Sequence, residues 1–182
     1  MDVVGLPAEL PRFLRQQVAE ALADTRVVGI VGPRQAGKST LVLDIVAGTP
    51  GAVYVSLDDR EARAAASVDP AGFVEGRPGM LAIDKVQRVP ELLLAIKSTV
   101  DRDRRPGRFL VTGPSQLSAN RGVSETLNGP IERLTLSPFS QAELAGRRRG
   151  LPERVLHGPL LAALARALPQ AVAPEPALAA RE

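Results

Sequence analysis

A short loop with two glycines is the feature of this sequence that most constrains its fold. The loop comprises Gly32, Pro33, Arg34, Gln35, Ala36, Gly37, Lys38, Ser39 and Thr40. An apolar run at 26–31 enters the loop, and a segment at 40–46 with apolar residues at helical spacing leaves it. A strand, a glycine-bracketed loop that ends in lysine and serine, and a helix, in that order, are typical of a phosphate-binding P-loop.

Each residue type in this loop has a physical reason to be there if the loop binds phosphate. Gly32 and Gly37 permit backbone conformations and close approaches that a Cβ would obstruct. The backbone N–H groups of the loop and of the helix N-terminus attract anions. Lys38 is predicted to reach the β- and γ-phosphates of a nucleotide, and the hydroxyl of Ser39 to bind Mg²⁺. The alternative is a glycine-rich turn capped by Ser39 or Thr40, but the flanking strand and helix favour phosphate binding.

Composition excludes several other kinds of site. The 182 residues include no cysteine and one histidine, so disulfides, thiolate metal sites, a cysteine nucleophile and a multi-histidine metal site are excluded. The net charge of +3 is too small to argue for nucleic-acid binding, which stays open but unsupported. No apolar run approaches the roughly 20 residues that span a membrane. The N-terminus lacks a signal-peptide pattern, so we expect a cytoplasmic protein without a membrane partner.

The remaining chain alternates between apolar runs and helical patterns. Five runs are predicted as strands, at 26–31, 52–57, 80–83, 108–112 and 131–136. Helices are predicted at 12–23, 40–46 and 90–100, with a polar helix starting at 58, a helix or loop at 116–128, and loops at 69–73 and 76–79. Continuous apolar strands that alternate with helices predict an α/β fold, with a mainly parallel five-stranded sheet covered by helices on both faces.

Asp84 is the candidate for the second half of a nucleotide site, because it directly follows the apolar run at 80–83. A P-loop needs an acidic residue at the end of another strand to complete the Mg²⁺ shell, and Asp84 is in this Walker B position. Its alternative role is a helix cap or a solvated turn residue. The next residue is Lys85, where ATPases of this kind usually have a glutamate. A cation cannot act as a general base at neutral pH unless it is strongly desolvated.

Several segments together resemble a family of prokaryotic AAA-type ATPases, over roughly residues 10–145. The segments that carry the resemblance are 32–40, 54–58, 83–92, 110–113 and 127–144. The resemblance implies a P-loop NTPase core, ATP as the ligand with Mg²⁺, ATPase activity, and a second, C-terminal domain. We accordingly expect an N-terminal helix packed on the core at 1–25 and an AAA-type ATP-binding domain at 26–145. A short helix and a flexible Ala/Pro-rich tail are expected at 146–182, in place of that second domain.

The sequence departs from this family at three positions that bear on catalysis. Lys85 replaces the Walker B glutamate. The stretch 113–115 reads Gly-Pro-Ser where the family tends to show Thr-Gly-Ser, which leaves Thr112 and Ser115 as candidate sensors of the γ-phosphate. Pro130 occupies the second position of a usual Gly-Arg pair, so a candidate arginine finger is missing.

These departures lead to a hypothesis of ATP binding with weak or absent hydrolysis, since Lys85 and Pro130 replace the expected Glu and Arg. The second hypothesis is an active ATPase that takes a glutamate or arginine from elsewhere in the chain or from a partner subunit of a homo-oligomer. Candidates by proximity in sequence are Glu61, Arg88 and Glu91. A remnant or scaffold that binds no nucleotide is a further alternative, and a small-molecule kinase is a less supported one. Besides nucleotide and a possible second copy of the chain, the other expected partner is a protein client.

Overall fold

The structure is a computed structural model that describes residues 12–115 and 131–144. The helices are α1 (Leu14–Asp24), α2 (Lys38–Ala47), α3 (Arg60–Val68), α4 (Pro70–Val74), α5 (Leu92–Arg102) and α6 (Gln141–Leu144). The strands are β1 (Val27–Val31), β2 (Val53–Ser56), β3 (Leu81–Asp84), β4 (Phe109–Gly113) and β5 (Ile131–Thr135). A single 3-10 turn, Val86–Arg88, follows β3.

The five strands form one sheet in the order β2-β3-β4-β1-β5, and every neighbouring pair is parallel. The predicted five-stranded parallel sheet is therefore confirmed. β1 lies between β4 and β5, and the P-loop continues from its carboxyl end. Because all strands run in one direction, the ends of β3 and β4 lie at the same edge of the sheet as that loop. Ligands of open α/β sheets bind at this edge.

Helices cover both faces of the sheet, as predicted, and each face has its own apolar core. On one face, alternate residues of β3 and β4, including Ile83 and Phe109, pack with apolar residues of α3, α4 and α5. On the other face, Ala82 and Leu110 pack with apolar residues of α1 and α2. The continuous apolar strands are explained by this double burial, because every side chain of a central strand faces a helix layer.

One local prediction is wrong, and the bounds of several elements differ from the predicted ones by one or two residues. The segment 69–73, predicted as a loop, contains the short helix α4. The Asp69 carboxylate accepts a hydrogen bond from the Gly72 N–H at 2.9 Å, and Pro70 occupies the first turn. An aspartate followed by proline is as good a start for a helix as for a turn. Helix α5 begins at Leu92 rather than at 90 and extends to Arg102.

Several predictions fall outside the described residues. They concern the segment 116–128, Pro130 and the expected short helix and tail. Within 12–115 and 131–144, no helix is long and apolar enough to cross a lipid bilayer.

Candidate functional site

The two P-loop glycines are required for different reasons. A Cβ at residue 32 would lie 2.2 Å from the carbonyl oxygen of Leu136, so only glycine allows this close approach. Gly37 has φ +89°, a left-handed conformation that side chains disfavour, and it is the residue that precedes α2. No side chain caps the first turn of α2, so its N–H groups have no side-chain acceptor at the cap. A helix start of this kind can bind an anion.

Lys38 lies over the loop rather than in solvent. Its Nζ donates hydrogen bonds to the carbonyl oxygens of Gly32, at 2.8 Å, and Pro33, at 2.6 Å. Burial lowers the pKa of Lys38, the carboxylate of Asp84 opposes that shift, and the charge of Lys85 adds to it. The ammonium group is thus partly desolvated and bonded to neutral acceptors. A phosphate oxygen would form a stronger, charge-assisted bond with it.

Asp84 is buried at the end of β3, where both of its carboxylate oxygens accept hydrogen bonds. The Ser39 hydroxyl donates to Oδ2 at 2.8 Å, and the Tyr54 hydroxyl donates to the same oxygen at 3.3 Å. The Thr112 hydroxyl donates to Oδ1. Because a buried carboxylate is costly without such partners, this set of donors explains how Asp84 is accommodated. The two predicted Mg²⁺ ligands, Ser39 and Asp84, are therefore in direct contact.

Ser39 and Asp84 provide the hydroxyl and carboxylate oxygens that Mg²⁺ prefers. Within the described ranges, no cluster of three or more His, Cys, Asp or Glu residues could hold a metal ion. Mg²⁺ usually keeps several waters and binds one or two carboxylates together with substrate phosphates. The residues present therefore fit a Mg²⁺ ion that arrives with a nucleotide.

Lys85 adopts an unusual backbone conformation beside Asp84, with φ +61°. Its N–H donates to the Thr112 hydroxyl at 2.9 Å, and its ammonium group forms an ion pair with Asp58. Arg88 contacts the other oxygen of Asp58 at 3.2 Å. These two cations hold the pKa of Asp58 below its usual range, and the hydrogen bond from Lys85 is the larger cause. A carboxylate bound in this way is a poor proton acceptor.

One cavity of about 780 Å³ lies at the carboxyl edge of β1, β3 and β4, and the residues of the site described above, other than Pro33, Tyr54 and Leu136, line it. Seven of the nine predicted nucleotide-binding residues line it, namely Gly32, Arg34, Gln35, Gly37, Lys38, Ser39 and Thr40. The side chain of Ala36 is instead buried in the core beneath the loop, and Pro33 is exposed. Of the two candidate sensors, Thr112 lines the cavity, whereas Ser115 is exposed and does not.

The charged residues that line the cavity favour an anion. They are the cations Arg34, Lys38, Lys85 and Arg88 and the carboxylates Asp58 and Asp84. Counted over the described residues, the lining therefore carries a formal excess of two positive charges. A polyphosphate is the ligand class that matches such a lining at a P-loop.

Sequence reasoning missed the contacts of Tyr54 and the ion pair between Asp58 and Lys85. Tyr54 is in β2, which pairs with β3 so that Tyr54 lies opposite Ala82. A polar side chain on a strand next to the Walker B strand is the signal that could have identified it. Asp58 follows the end of the same strand, so its proximity to Lys85 also depends on the β2–β3 pairing.

Sequence reasoning also missed the contacts that join Arg12 and Phe13 to the segment 139–143. The Arg12 guanidinium lies 4.0 Å from the centre of the Phe139 ring and 3.4 Å from a carboxylate oxygen of Glu143. The Phe13 N–H donates to the same oxygen at 2.9 Å. Ser140 and Glu143 exchange backbone and side-chain hydrogen bonds at the start of α6. The Ser-x-x-Glu pattern of such a capping box is present in the sequence and could have predicted this helix start.

Comparison with known proteins places this arrangement among related chains. The profile of a family described as an AAA domain matches residues 24–145. The uncharacterized proteins Rv2008c of Mycobacterium tuberculosis and Mb2031c of Mycobacterium bovis are each 33% identical over 143 residues, which is 75% of this chain and 32% of theirs. The chain thus spans about a third of the length of these curated relatives.

The fold is also found in a solved structure. The Walker-type ATPase paby2304 of Pyrococcus abyssi aligns with a TM-score of 0.52 and 14% identity, over 74% of this chain and 55% of that one. At this identity the likeness concerns the fold alone.

Proposed function

The chain belongs to the AAA domain family of P-loop proteins, and on this premise we propose that it binds ATP with Mg²⁺ and hydrolyses it weakly or not at all. The observation that carries the proposal is the convergence of Lys38, Ser39 and Asp84 on one cavity with an excess of positive charge. Because the chain spans only part of its curated relatives, the activity and partners of the whole proteins are proposals too.

In this proposal the P-loop binds the phosphates and the adjacent strand end binds the metal. The first-turn N–H groups of α2 and the ammonium of Lys38 contact the phosphate oxygens. Ser39 and Asp84 would hold Mg²⁺, which when bound would neutralise part of the phosphate charge. Thr112, which bonds both Asp84 and the backbone of Lys85, positions the Walker B residues relative to each other.

Weak hydrolysis is expected because the residues near the proposed position of the terminal phosphate provide neither a general base nor an arginine finger. The ammonium of Lys85 has no lone pair with which to accept a proton from water. Among the described residues that line the cavity, the other carboxylate besides Asp84 is Asp58, which is already paired with two cations. The sequence has Pro130 where an arginine finger is expected, and loss of such a finger costs about 10³–10⁵ in rate.

The alternative is an ATPase completed by a partner subunit. Among the candidates within the chain, Arg88 lines the cavity, whereas Glu61 and Glu91 are exposed and do not line it. A glutamate supplied by a second copy would then be the water-orienting group, and ATP would promote self-association. A protein client and a cytoplasmic location are consistent with either proposal.

The test is a calorimetric titration of the full chain with Mg-ATP, with phosphate release measured on the same samples. Lys38→Ala is the test variant and Lys97→Ala the control, because Lys97 lies on α5 and pairs with Asp101 at 2.8 Å, outside the cavity. We expect saturable binding by the native chain and by Lys97→Ala, lost in Lys38→Ala, with phosphate release at background. Absence of binding by the native chain would favour the remnant or scaffold. Turnover that rises with protein concentration would favour the ATPase completed by a partner.

A further inference from the structure

Lys85 is fixed at the cavity by its backbone rather than by its side chain. Its N–H is bonded to Thr112, whose hydroxyl is bonded in turn to Asp84. The left-handed conformation of Lys85 follows directly on the last residue of β3. The Cα of Lys85 is therefore held close to Asp84, and Lys85 lines the same cavity as Lys38.

The Lys85 ammonium can exchange its partner, Asp58, for another anion. The ion pair with Asp58 is partly open to solvent, with 38% of the Lys85 side chain and 42% of the Asp58 side chain exposed. Arg88 contacts Asp58 through its other oxygen. If the ammonium moves to another anion, Asp58 keeps Arg88 as a partner. An ammonium also has three donors, so it can bond a second acceptor without leaving the first.

The charge of the cavity depends on Lys85. The described residues of the lining include four cations and two carboxylates. A glutamate at position 85, which the family resemblance leads us to expect there, would leave three of each and no excess charge. The residue that removes the general base therefore also supplies the positive charge that a terminal phosphate would meet.

We propose that Lys85 is a ligand of the terminal phosphate and makes the site prefer a nucleoside triphosphate over the diphosphate. The inference rests on the proposed function, since it concerns the same cavity and the same nucleotide. Lys38 and Lys85 bind the phosphate chain from two sides, with the P-loop contributing the first and the end of β3 the second. With lysine at position 85 the site retains the triphosphate. A glutamate at the same position would instead activate a water molecule to hydrolyse it.

The experiment measures the ratio of two dissociation constants by calorimetry on the full chain, for Mg-AMPPNP, which is not hydrolysed, and Mg-ADP. The variants are Lys85→Met, which keeps length and removes charge, and Lys85→Arg, which keeps charge. Lys97→Met is the matched control, because Lys97 is equally exposed, at 38%, and also pairs with an aspartate. We expect the preference of the native chain for AMPPNP to fall about tenfold or more in Lys85→Met, as for loss of a charge-assisted bond. Lys85→Arg retains most of the preference, and Lys97→Met all of it.

Asp58→Asn separates a phosphate ligand from a purely structural ion pair. If Lys85 binds phosphate, removal of its competing carboxylate raises the preference for AMPPNP, opposite in sign to Lys85→Met. If the pair only stabilises the loop, both variants weaken binding of both nucleotides alike, and that result overturns the inference. An unchanged ratio in Lys85→Met, with the native melting temperature, overturns it too and leaves the proposed function standing. A native chain that binds neither nucleotide overturns both.

Discussion

The Ser39 hydroxyl donates a hydrogen bond to Oδ2 of Asp84 at 2.8 Å, although the two residues are 45 positions apart in the sequence. Ser39 lies in the first turn of α2, the helix after β1, and Asp84 ends β3, two strands away in the sheet. A parallel sheet brings these ends together because all of its strands finish at one edge. In the function proposed above, this hydroxyl and this carboxylate are the two groups that would hold Mg²⁺.

Asp84→Asn is expected to abolish the Mg²⁺ dependence of nucleotide binding. The amide retains an acceptor oxygen for the Ser39 hydroxyl but loses the charge that attracts the metal. We expect affinity for Mg-ATP to fall about tenfold or more, the typical effect of losing a charged partner, and to match affinity for ATP in EDTA. Calorimetric titration with and without Mg²⁺ measures both values. A variant that still binds more tightly with Mg²⁺ would place the metal elsewhere.

Tyr54 is expected to titrate above its ordinary value near 10. Burial raises the pKa of Tyr54, and the nearby carboxylate of Asp84 raises it further. Because Tyr54 is the one tyrosine and the chain has no tryptophan, absorbance of tyrosinate reports this group alone. Between pH 10 and the raised pKa the folded state binds more protons than the unfolded state, so stability falls as pH rises there.

Two variants check the cause of the Tyr54 shift. Asp84→Asn removes the charge and should bring the pKa of Tyr54 down towards 10. Tyr54→Phe, which has no tyrosine, gives the background absorbance. Addition of Mg-AMPPNP should act in the same direction as Asp84→Asn, because a bound cation neutralises the carboxylate. A native pKa close to 10, measured while the chain is still folded, would show that Tyr54 is not held against Asp84.

The sheet and the P-loop could be predicted because each depends on residues close together in the sequence. Apolar runs define the strands, and the glycines with Lys38 and Ser39 define the loop. The proximity of Asp84 to that loop followed from its position directly after a strand. These features need only a local pattern and the rule that parallel strands end at one edge.

The contacts that depend on strand order could not be predicted in this way. Tyr54 and Asp58 reach the site because β2 pairs with β3, and no local pattern specifies that pairing. Helix α4 was missed for a different reason, since Asp69 and Pro70 are compatible with both a turn and a helix start. The support of the P-loop by Leu136 required knowledge of where the chain returns after β5.

Gly32→Ala is expected to destabilise the fold more than an alanine at an open glycine. A Cβ at residue 32 would strike the backbone of Leu136, whereas a Cβ at residue 51 would meet nothing within 4 Å. Gly51→Ala is the control, because φ +72° there costs an alanine about 1–2 kcal/mol by itself. We expect Gly32→Ala to cost about 1–3 kcal/mol beyond that, the usual penalty of overpacking. Urea unfolding compares the two, and equal losses would mean that the loop can move away from Leu136.

Arg12 and Glu143 are expected to be coupled in stability. Their side chains are only 8% and 7% exposed, and within the described residues Nε and Nη1 of Arg12 have no hydrogen-bond partner. Glu143→Gln leaves a buried cation without its counter-charge, for which about 3–5 kcal/mol is typical. Arg12→Met leaves a carboxylate that still accepts N–H bonds from Phe13 and Ser140, so we expect a smaller loss.

A double-mutant cycle by urea unfolding tests this coupling. We expect the loss of unfolding free energy in Arg12→Met/Glu143→Gln to be smaller than the summed losses of the single variants by about 0.5–3 kcal/mol, the range for residues in contact.

The pH dependence of stability is a second test of this pair. Burial raises the pKa of Glu143, but hydrogen bonds from Ser140 and Phe13 and the charge of Arg12 outweigh that effect and hold the pKa below its ordinary value. The difference in free energy of unfolding between the native chain and Glu143→Gln should therefore be fully present at neutral pH. It should decline as pH falls through that lowered pKa. Additive losses, or a stability difference that is independent of pH, would show that Arg12 and Glu143 do not act as a pair.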